Sequence, residues 1–262
     1  MSLEGQVAIV TGGSKGIGQG IAQEFVLEGA KVVISSRSEA ALKETEAKLS
    51  ETGGEVASVL CDVSEEEQVQ NLMTQTISEF GKVDILVNNA GLGIYKSLTE
   101  TSTEEFDLAL AVNLKGVFLC MKHAVPHLKR SGGGSIINIA SVYSVQNVGG
   151  TVPYAAAKGG VVSLTRAAAI DVAQEGMRVN AIAPGWVDTP LVRSIFESSE
   201  DPEGARREVE NHQLLRRLGK PEEIGRAAVF LAGNDSSYIT GSLLFVDNGM
   251  TAQLGTWWIN NS

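Results

Sequence analysis

Apolar positions along the chain alternate between two periods. Short, nearly unbroken apolar runs at Gln6–Val10, Lys31–Ser35, Val56–Leu60, Val83–Val87, Gly134–Ile139, Arg178–Ile182 and Leu243–Val246 have the length and composition of buried strands. Between them, Ile17–Leu27, Glu39–Glu51, Glu65–Phe80, Glu104–Lys129, Ala155–Glu175 and Pro221–Leu231 carry the helical period. Gly29, Gly53-Gly54 and Gly81 stop three of these helices, and Pro221 stands in a first turn, where a missing N–H costs nothing. Strands that are apolar throughout, each followed by a helix, form parallel sheets covered on both faces. The pattern therefore predicts an α/β fold: one doubly wound, seven-stranded parallel sheet with helices on both faces, in a single domain over 1–262. Val187–Leu218 breaks the rhythm. It is polar, carries Pro202 and Gly204, and is far longer than the usual connection of ~2–6 residues. A substrate lid is the expectation, with a disordered segment as the alternative.

Composition narrows the function classes. With 262 residues and 43% hydrophobic content, the chain can build a large core without disulfides or metal. Its 21 basic and 31 acidic residues leave a net charge of −10, which disfavours nucleic acid and anionic membranes as partners. Cys61 and Cys120 are far apart and read as buried small hydrophobes; His123, His127 and His212 form no metal motif, so no metal site is expected. The start, MSLEGQVAIVTGG, has neither the basic region nor the long apolar core of a secretion signal, and no run reaches the ~18 apolar residues of a membrane span. A cytoplasmic protein is expected.

The first strand runs into Thr11-Gly12-Gly13-Ser14-Lys15-Gly16-Ile17-Gly18 and then into a helix. Glycines at 12, 16 and 18 let backbone approach a ligand closely, and a helix N-terminus offers free N–H groups to a pyrophosphate. The same residues formally match G-x-S-x-G, the nucleophile elbow of serine hydrolases. That reading fails on order: an elbow follows several strands, and no suitable Asp and His come later. The second strand ends in Ser35-Ser36-Arg37-Ser38. A carboxylate at that point selects a ribose 2′-hydroxyl, whereas an arginine accommodates a 2′-phosphate. Ser36 in place of an acid, with Arg37 and Lys15 beside it, favours NADP(H) over NAD(H).

Tyr154 and Lys158 stand four apart at a helix start and share a face. An ammonium beside a phenol favours the phenolate, so Lys158 is expected to move the Tyr154 pKa from about 10 toward neutral, as a general acid or base requires. Ser141 follows the strand GSIINIA, where its hydroxyl can reach a substrate oxygen.

These residues, with Cys61-Asp62-Val63, Asn88-Asn89-Ala90-Gly91, Val112-Asn113-Leu114-Lys115-Gly116 and NAIAPGWVDTP at 180–190, resemble the short-chain dehydrogenase/reductase family over about residues 5–250. The resemblance implies a Rossmann-type fold, a carbonyl–alcohol oxidoreductase and a homotetramer or dimer. In the matching positions it makes Tyr154 the proton donor, Ser141 the residue that orients the carbonyl, Lys158 the holder of the nicotinamide ribose, and Asn113 the fourth member, holding a water that links Lys158 to solvent. Gly12, Ser14, Lys15, Gly16, Ile17 and Gly18 would bind cofactor phosphates, and Ser36 and Arg37 the adenosine ribose. Asp62 and Val63 would contact adenine; Asn89, Ala90 and Gly91 would line the cofactor. Pro184, Gly185 and Val187 would pack on nicotinamide, and Thr189 would bind its amide or a phosphate. Whole-chain similarity points to 3-oxoacyl-(acyl-carrier-protein) reductases and gluconate 5-dehydrogenase-like members without separating them; a non-catalytic NADP(H) sensor is the remote alternative.

Substrate-pocket candidates follow from position: Leu92, Ile94 and Tyr95 after Gly91, Tyr143 and Gln146–Val148 after Ser141, Trp186, and the lid from Leu191 to Leu215. No cluster of cations stands ready to clamp a phosphate or a coenzyme A tail, although Arg193, Arg206 and Arg207 in the lid could serve. Two features depart from the family pattern. Asn248 stands where a second glycine is usual, and the tail over 250–262 carries Trp257-Trp258, expected to dock on a neighbouring subunit or on its own.

Overall fold

A computed structural model describes residues 2–253. The chain alternates strand and helix: β1 Val7–Thr11, α1 Gly16–Leu27, β2 Lys31–Ser36, α2 Glu39–Ser50, β3 Val56–Leu60, α3 Glu66–Phe80 and β4 Ile85–Asn88. Then follow α4 Thr103–Leu110, α5 Gly116–Arg130, β5 Gly134–Ile139, α6 Val152–Val172 and β6 Met177–Pro184. The last elements are α7 Pro190–Glu197, α8 Pro202–His212, α9 Pro221–Ala232 and β7 Leu243–Val246. The strands form one parallel sheet in the order β3-β2-β1-β4-β5-β6-β7. This is the predicted α/β, Rossmann-type doubly wound arrangement.

Strand residues feed two cores in alternation, because successive side chains leave opposite faces. Ile9, Val33, Leu86, Ile136 and Val179 pack with α3, α5 and α6, while Val10, Ile34, Val87, Ile137 and Ile182 pack with α1, α2 and α9. That is why each strand reads as continuously apolar. Winding reverses between β1 and β4, so the loops leaving these two strands diverge and open a crevice at the carboxyl edge of the sheet.

Three sequence expectations need correction. The helix expected over Glu104–Lys129 is two helices joined by a π-helical turn at Ala111–Lys115. A single five-residue π turn is too short for helical periodicity to mark it. The strand expected at Val83–Val87 begins at Ile85, and the strand expected at Arg178–Ile182 extends over Met177–Pro184. The segment 187–218, expected as a lid with disorder as the alternative, folds into α7 and α8, each starting at a proline, capped by Thr189 and by Asp201. By length and composition alone Thr103–Arg130 is apolar enough to cross a bilayer, yet half of its most apolar stretch is buried in the fold.

Candidate active site

The loop after β1 and the loop after β4 are bolted together. Thr11 Oγ1 accepts from the Asn89 and Ala90 amides at 3.0 and 3.1 Å, and Asn89 Nδ2 donates to Thr11 O and Gly12 O at 2.9 and 3.1 Å. A Cβ on Gly18 would lie 2.3 Å from Gly12 O, and one on Gly12, at φ +64°, would meet Ala90 Cα at 2.8 Å. The glycines at 12 and 18 thus serve close packing of turn, helix and neighbouring loop. Gly16, at φ +57°, faces Thr189 at the base of α7. No side chain caps the α1 N-terminus and no acid sits in its first turn, so its N–H groups keep their partial positive charge.

A cleft of about 880 Å³ runs along this edge. Gly12, Ser14, Lys15, Gly16, Ile17, Ser36, Arg37, Asp62, Val63, Asn89, Ala90 and Gly91 line one half; Pro184, Gly185, Val187 and Thr189 continue the wall toward α7. Asn113, Ser141, Tyr154 and Lys158 line its middle, and Tyr95, Tyr143, Trp186 and Leu191 the far end. Of the residues expected there, Asn147 and the lid beyond Ile195 are not on the wall, nor are three others. Gly18 lies beneath it, packed on Gly12. Gln146 is exposed and donates to Thr251 O at 3.1 Å. Ile94 is partly buried beside the loop rather than facing the cleft. The structure adds Gly149, Gly150 and Thr151 to the wall, and Gly150 adopts φ +79°. The Gly149-Gly150 pair just before Pro153 is the sequence signal that marks this turn.

The π turn explains how Asn113 reaches the site. It presents a fully buried side chain whose Oδ1 accepts from Leu92 N and whose Nδ2 donates to Leu92 O, both at 2.9 Å. Asn113 therefore pins the β4–α4 loop that carries Tyr95. Lys158, also buried, donates to Ile139 O at 2.7 Å, and its Nζ lies 5.7 Å from the Tyr154 ring centre. Burial lowers its pKa to about 8. The expected lowering of the Tyr154 pKa is not what this geometry gives. Burial pushes the phenol well above its usual value; Tyr95 and Tyr143 add to the rise, and a hydrogen bond with the Ser141 hydroxyl opposes it. The Lys158 ammonium is committed to a carbonyl, so it does not offset the loss of water around the phenol.

At the adenosine end, Ser36 Oγ turns back to accept from Ser38 N at 3.3 Å, and Arg37 Nη1 lies 3.7 Å from Asp62 Oδ2. Burial raises the Asp62 carboxyl, but hydrogen bonds from Ser64 and the Arg37 charge outweigh it and hold the pKa below its ordinary value. Lys15 is exposed on the rim and makes no ion pair among the described residues. Bare helix N–H groups, Cβ-free turns and two cations beside a site without an acid at Ser36 fit a dinucleotide bearing phosphates.

Comparison with known proteins agrees with this architecture. A family model described as enoyl-(acyl carrier protein) reductase matches residues 12–251. The chain is 43% identical to an L-fucose dehydrogenase of Bos taurus, over 96% of this chain and 90% of that one. Among solved structures it resembles levodione reductase at a TM-score of 0.93 and 35% identity, covering 96% of this chain and all of that one. It also resembles an actinorhodin polyketide ketoreductase with NADPH, at a TM-score of 0.92 and 33% identity, covering 95% and 98% of the two chains.

Proposed function

The chain belongs to the short-chain dehydrogenase/reductase family and is a dehydrogenase/reductase, and on that premise we propose that it interconverts a ketone or aldehyde and an alcohol with NADP(H). The observation that carries the reading is the meeting of Ser141, Tyr154, Lys158 and Asn113 on one cleft wall, beside the glycine turn and the open α1 N-terminus. When bound, the nicotinamide supplies or accepts the hydride at the carbonyl carbon. Tyr154 delivers its phenolic proton to the carbonyl oxygen as the C=O becomes CH–OH. Ser141, on the same cleft wall as Tyr154, orients that oxygen. Lys158, on the same wall, holds the nicotinamide ribose. Asn113 fixes the Leu92 loop over the site. Ser36, Arg37 and Lys15 support NADP(H) over NAD(H), as does the NADPH held by the ketoreductase relative.

The substrate is a small molecule; nucleic acid is disfavoured by the charge of −10. A 3-oxoacyl carrier reductase or a gluconate-type dehydrogenase is the narrower alternative within this chemistry. We read the enzyme as a cytoplasmic homo-oligomer, tetramer or dimer. Supporting this, Ile170 on α6 is 78% exposed, Phe118 and Phe245 are also exposed, and the most apolar helix stretch is half buried in the fold. The expected docking tail with Trp257 and Trp258 lies outside the described residues.

Tyr154→Phe tests the reading. Removing the only proton the phenol can give is expected to lower NADPH-dependent ketone reduction by about a thousandfold, within the range of general acid catalysis, while NADPH still binds. Retained turnover would sink the assignment.

A further inference from the structure

The far end of the cleft shows what it accepts by what it lacks. Every charged side chain on the cleft wall, namely Lys15, Arg37, Asp62 and Lys158, lies in the cofactor half or at the midline. The lid cations that could clamp a phosphate or a coenzyme A tail are all engaged elsewhere. Arg193 Nε binds Asp188 Oδ1 at 2.7 Å, Arg206 Nε binds Glu210 Oε1 at 2.9 Å, and Arg207 Nη1 binds Glu203 Oε2 at 3.3 Å. Arg216 donates to Asn211 O at 2.7 Å, and Arg217 grips Glu223 with both Nη1 and Nη2. None of the five lines the cleft. The sequence beyond residue 253 carries no charged side chain either.

What remains at that end is rings and aliphatics. Tyr95 and Tyr143 stand 5.4 and 6.3 Å from Tyr154, centre to centre, as tilted and edge-on partners. Across the gap Trp186 stacks on Phe196 at 6.0 Å, and Leu191, Val192 and Ile195 of α7 complete the wall. The Tyr95 and Tyr143 hydroxyls have no hydrogen-bond partner among the described residues, so beyond the reacting pair the side chains there offer a ligand two neutral hydroxyls and no charge. Thr151 and Thr189 already spend their hydroxyls on Val148 O and on the α7 cap. Burial raises the phenols of all three tyrosines, the behaviour of a site that disfavours negative charge.

We propose that this end is an uncharged aromatic box selecting a compact, neutral, apolar-bodied ketone or secondary alcohol, and rejecting carboxylates, phosphates, carrier-linked acyl chains and polyols. The proposal rests on the reading of Tyr154 as proton donor, since that fixes which end holds the substrate. An anion here has no cation to meet and loses its water, and a polyol leaves several hydroxyls unpaired.

Binding of the two ketones to the NADP⁺-loaded enzyme, and of the sugar to the NADPH-loaded enzyme, leaves a ketone without a hydride donor and an alcohol without an acceptor, and so separates recognition from chemistry. The probes are methyl 4-oxocyclohexanecarboxylate, its free acid and L-fucose, measured by calorimetry. The ester is expected to bind at least about tenfold more tightly than the acid and the sugar. Leu191→Arg, which puts a cation on the wall without touching the reacting groups, is expected to reverse the ester–acid order. Equal or tighter binding of the acid or of L-fucose by the unaltered chain would overturn the proposal. Ester reduction by NADPH that survives in Tyr154→Phe would instead overturn the catalytic reading, with the binding order still deciding the character of the box.

Discussion

Lys158 is 4% exposed, and its ammonium has one protein partner among the described residues, the Ile139 carbonyl. Folding therefore strips water from a charge and returns a single hydrogen bond. The consequence for stability has a definite sign. Below pH 8 the group is charged in the folded and unfolded chain alike, and the folded state bears the burial cost. Between about 8 and the ordinary value of 10.5 the folded state has released the proton while the unfolded state keeps it. Stability from this residue therefore rises with pH across that window. Lys158→Met lacks the effect. Urea unfolding should show the unaltered chain gaining on the variant by on the order of 2 kcal/mol between pH 7 and 10. A stability difference that stays constant over that range would mean the ammonium is better solvated than its burial implies. Tyrosine ionisation belongs to both chains and cancels. An inactive variant that is no less stable at pH 7 is the mark of a residue kept for chemistry rather than for folding.

Two asparagines set the shape of the site at the level of elements. Asn113 owes its position to the π turn and holds Leu92 from both sides, so Asn113→Ala should loosen the β4–α4 loop and cost about 2 kcal/mol, the usual penalty for stranding buried partners. Thermal denaturation reads this directly. Asn248, at φ +56°, latches the base of the lid: its carbonyl accepts from Leu214 N, its Oδ1 from Leu215 N at 2.7 Å, and its Nδ2 donates to Arg217 O at 3.0 Å. Asn248→Gly keeps the left-handed backbone and removes only the side-chain bonds. KM should rise about tenfold, with kcat changed far less, and amide exchange should quicken at 214–217. Unchanged exchange there would remove the latch. The strands were legible because a strand buried on both faces writes a continuous apolar run, and the glycine turn and the Tyr154–Lys158 pair were legible because their chemistry depends on spacing along the chain. The π turn was hidden because its five residues are too few to set a period of their own between two helices. The lid helices were missed although Thr189-Pro190 and Asp201-Pro202 are both cap-and-proline pairs, since short exposed helices lack the apolar periodicity that marks the buried ones. The partners of the lid arginines depend on tertiary placement and could not be read from the sequence.

The molecule as a whole carries a charge of −10, yet the proposed ligand is a polyanion. Two electrostatic scales compete, and salt separates them. Long-range repulsion from the whole surface would weaken as ions screen it, so added salt would strengthen NADPH binding. Short-range attraction at Lys15 and Arg37 would weaken instead, so added salt would loosen it. Both cations are largely exposed, and Arg37 is already shared with Asp62 at 3.7 Å, so neither interaction is shielded by burial. A 2′-phosphate paired with either cation would be in direct contact with it, well within the screening length of about 10 Å at 0.1 M salt, so the local pair should dominate. NADPH affinity is therefore expected to fall as salt rises. In the Lys15→Ala/Arg37→Ala double variant it should fall about tenfold or more at low salt, while NADH affinity changes by less than about threefold. The salt response should then flatten or reverse, because only the repulsive surface remains. Equal losses for both cofactors would assign the cations to the shared pyrophosphate, and tighter NADH than NADPH binding in the unaltered chain would overturn the reading of Ser36 and Arg37.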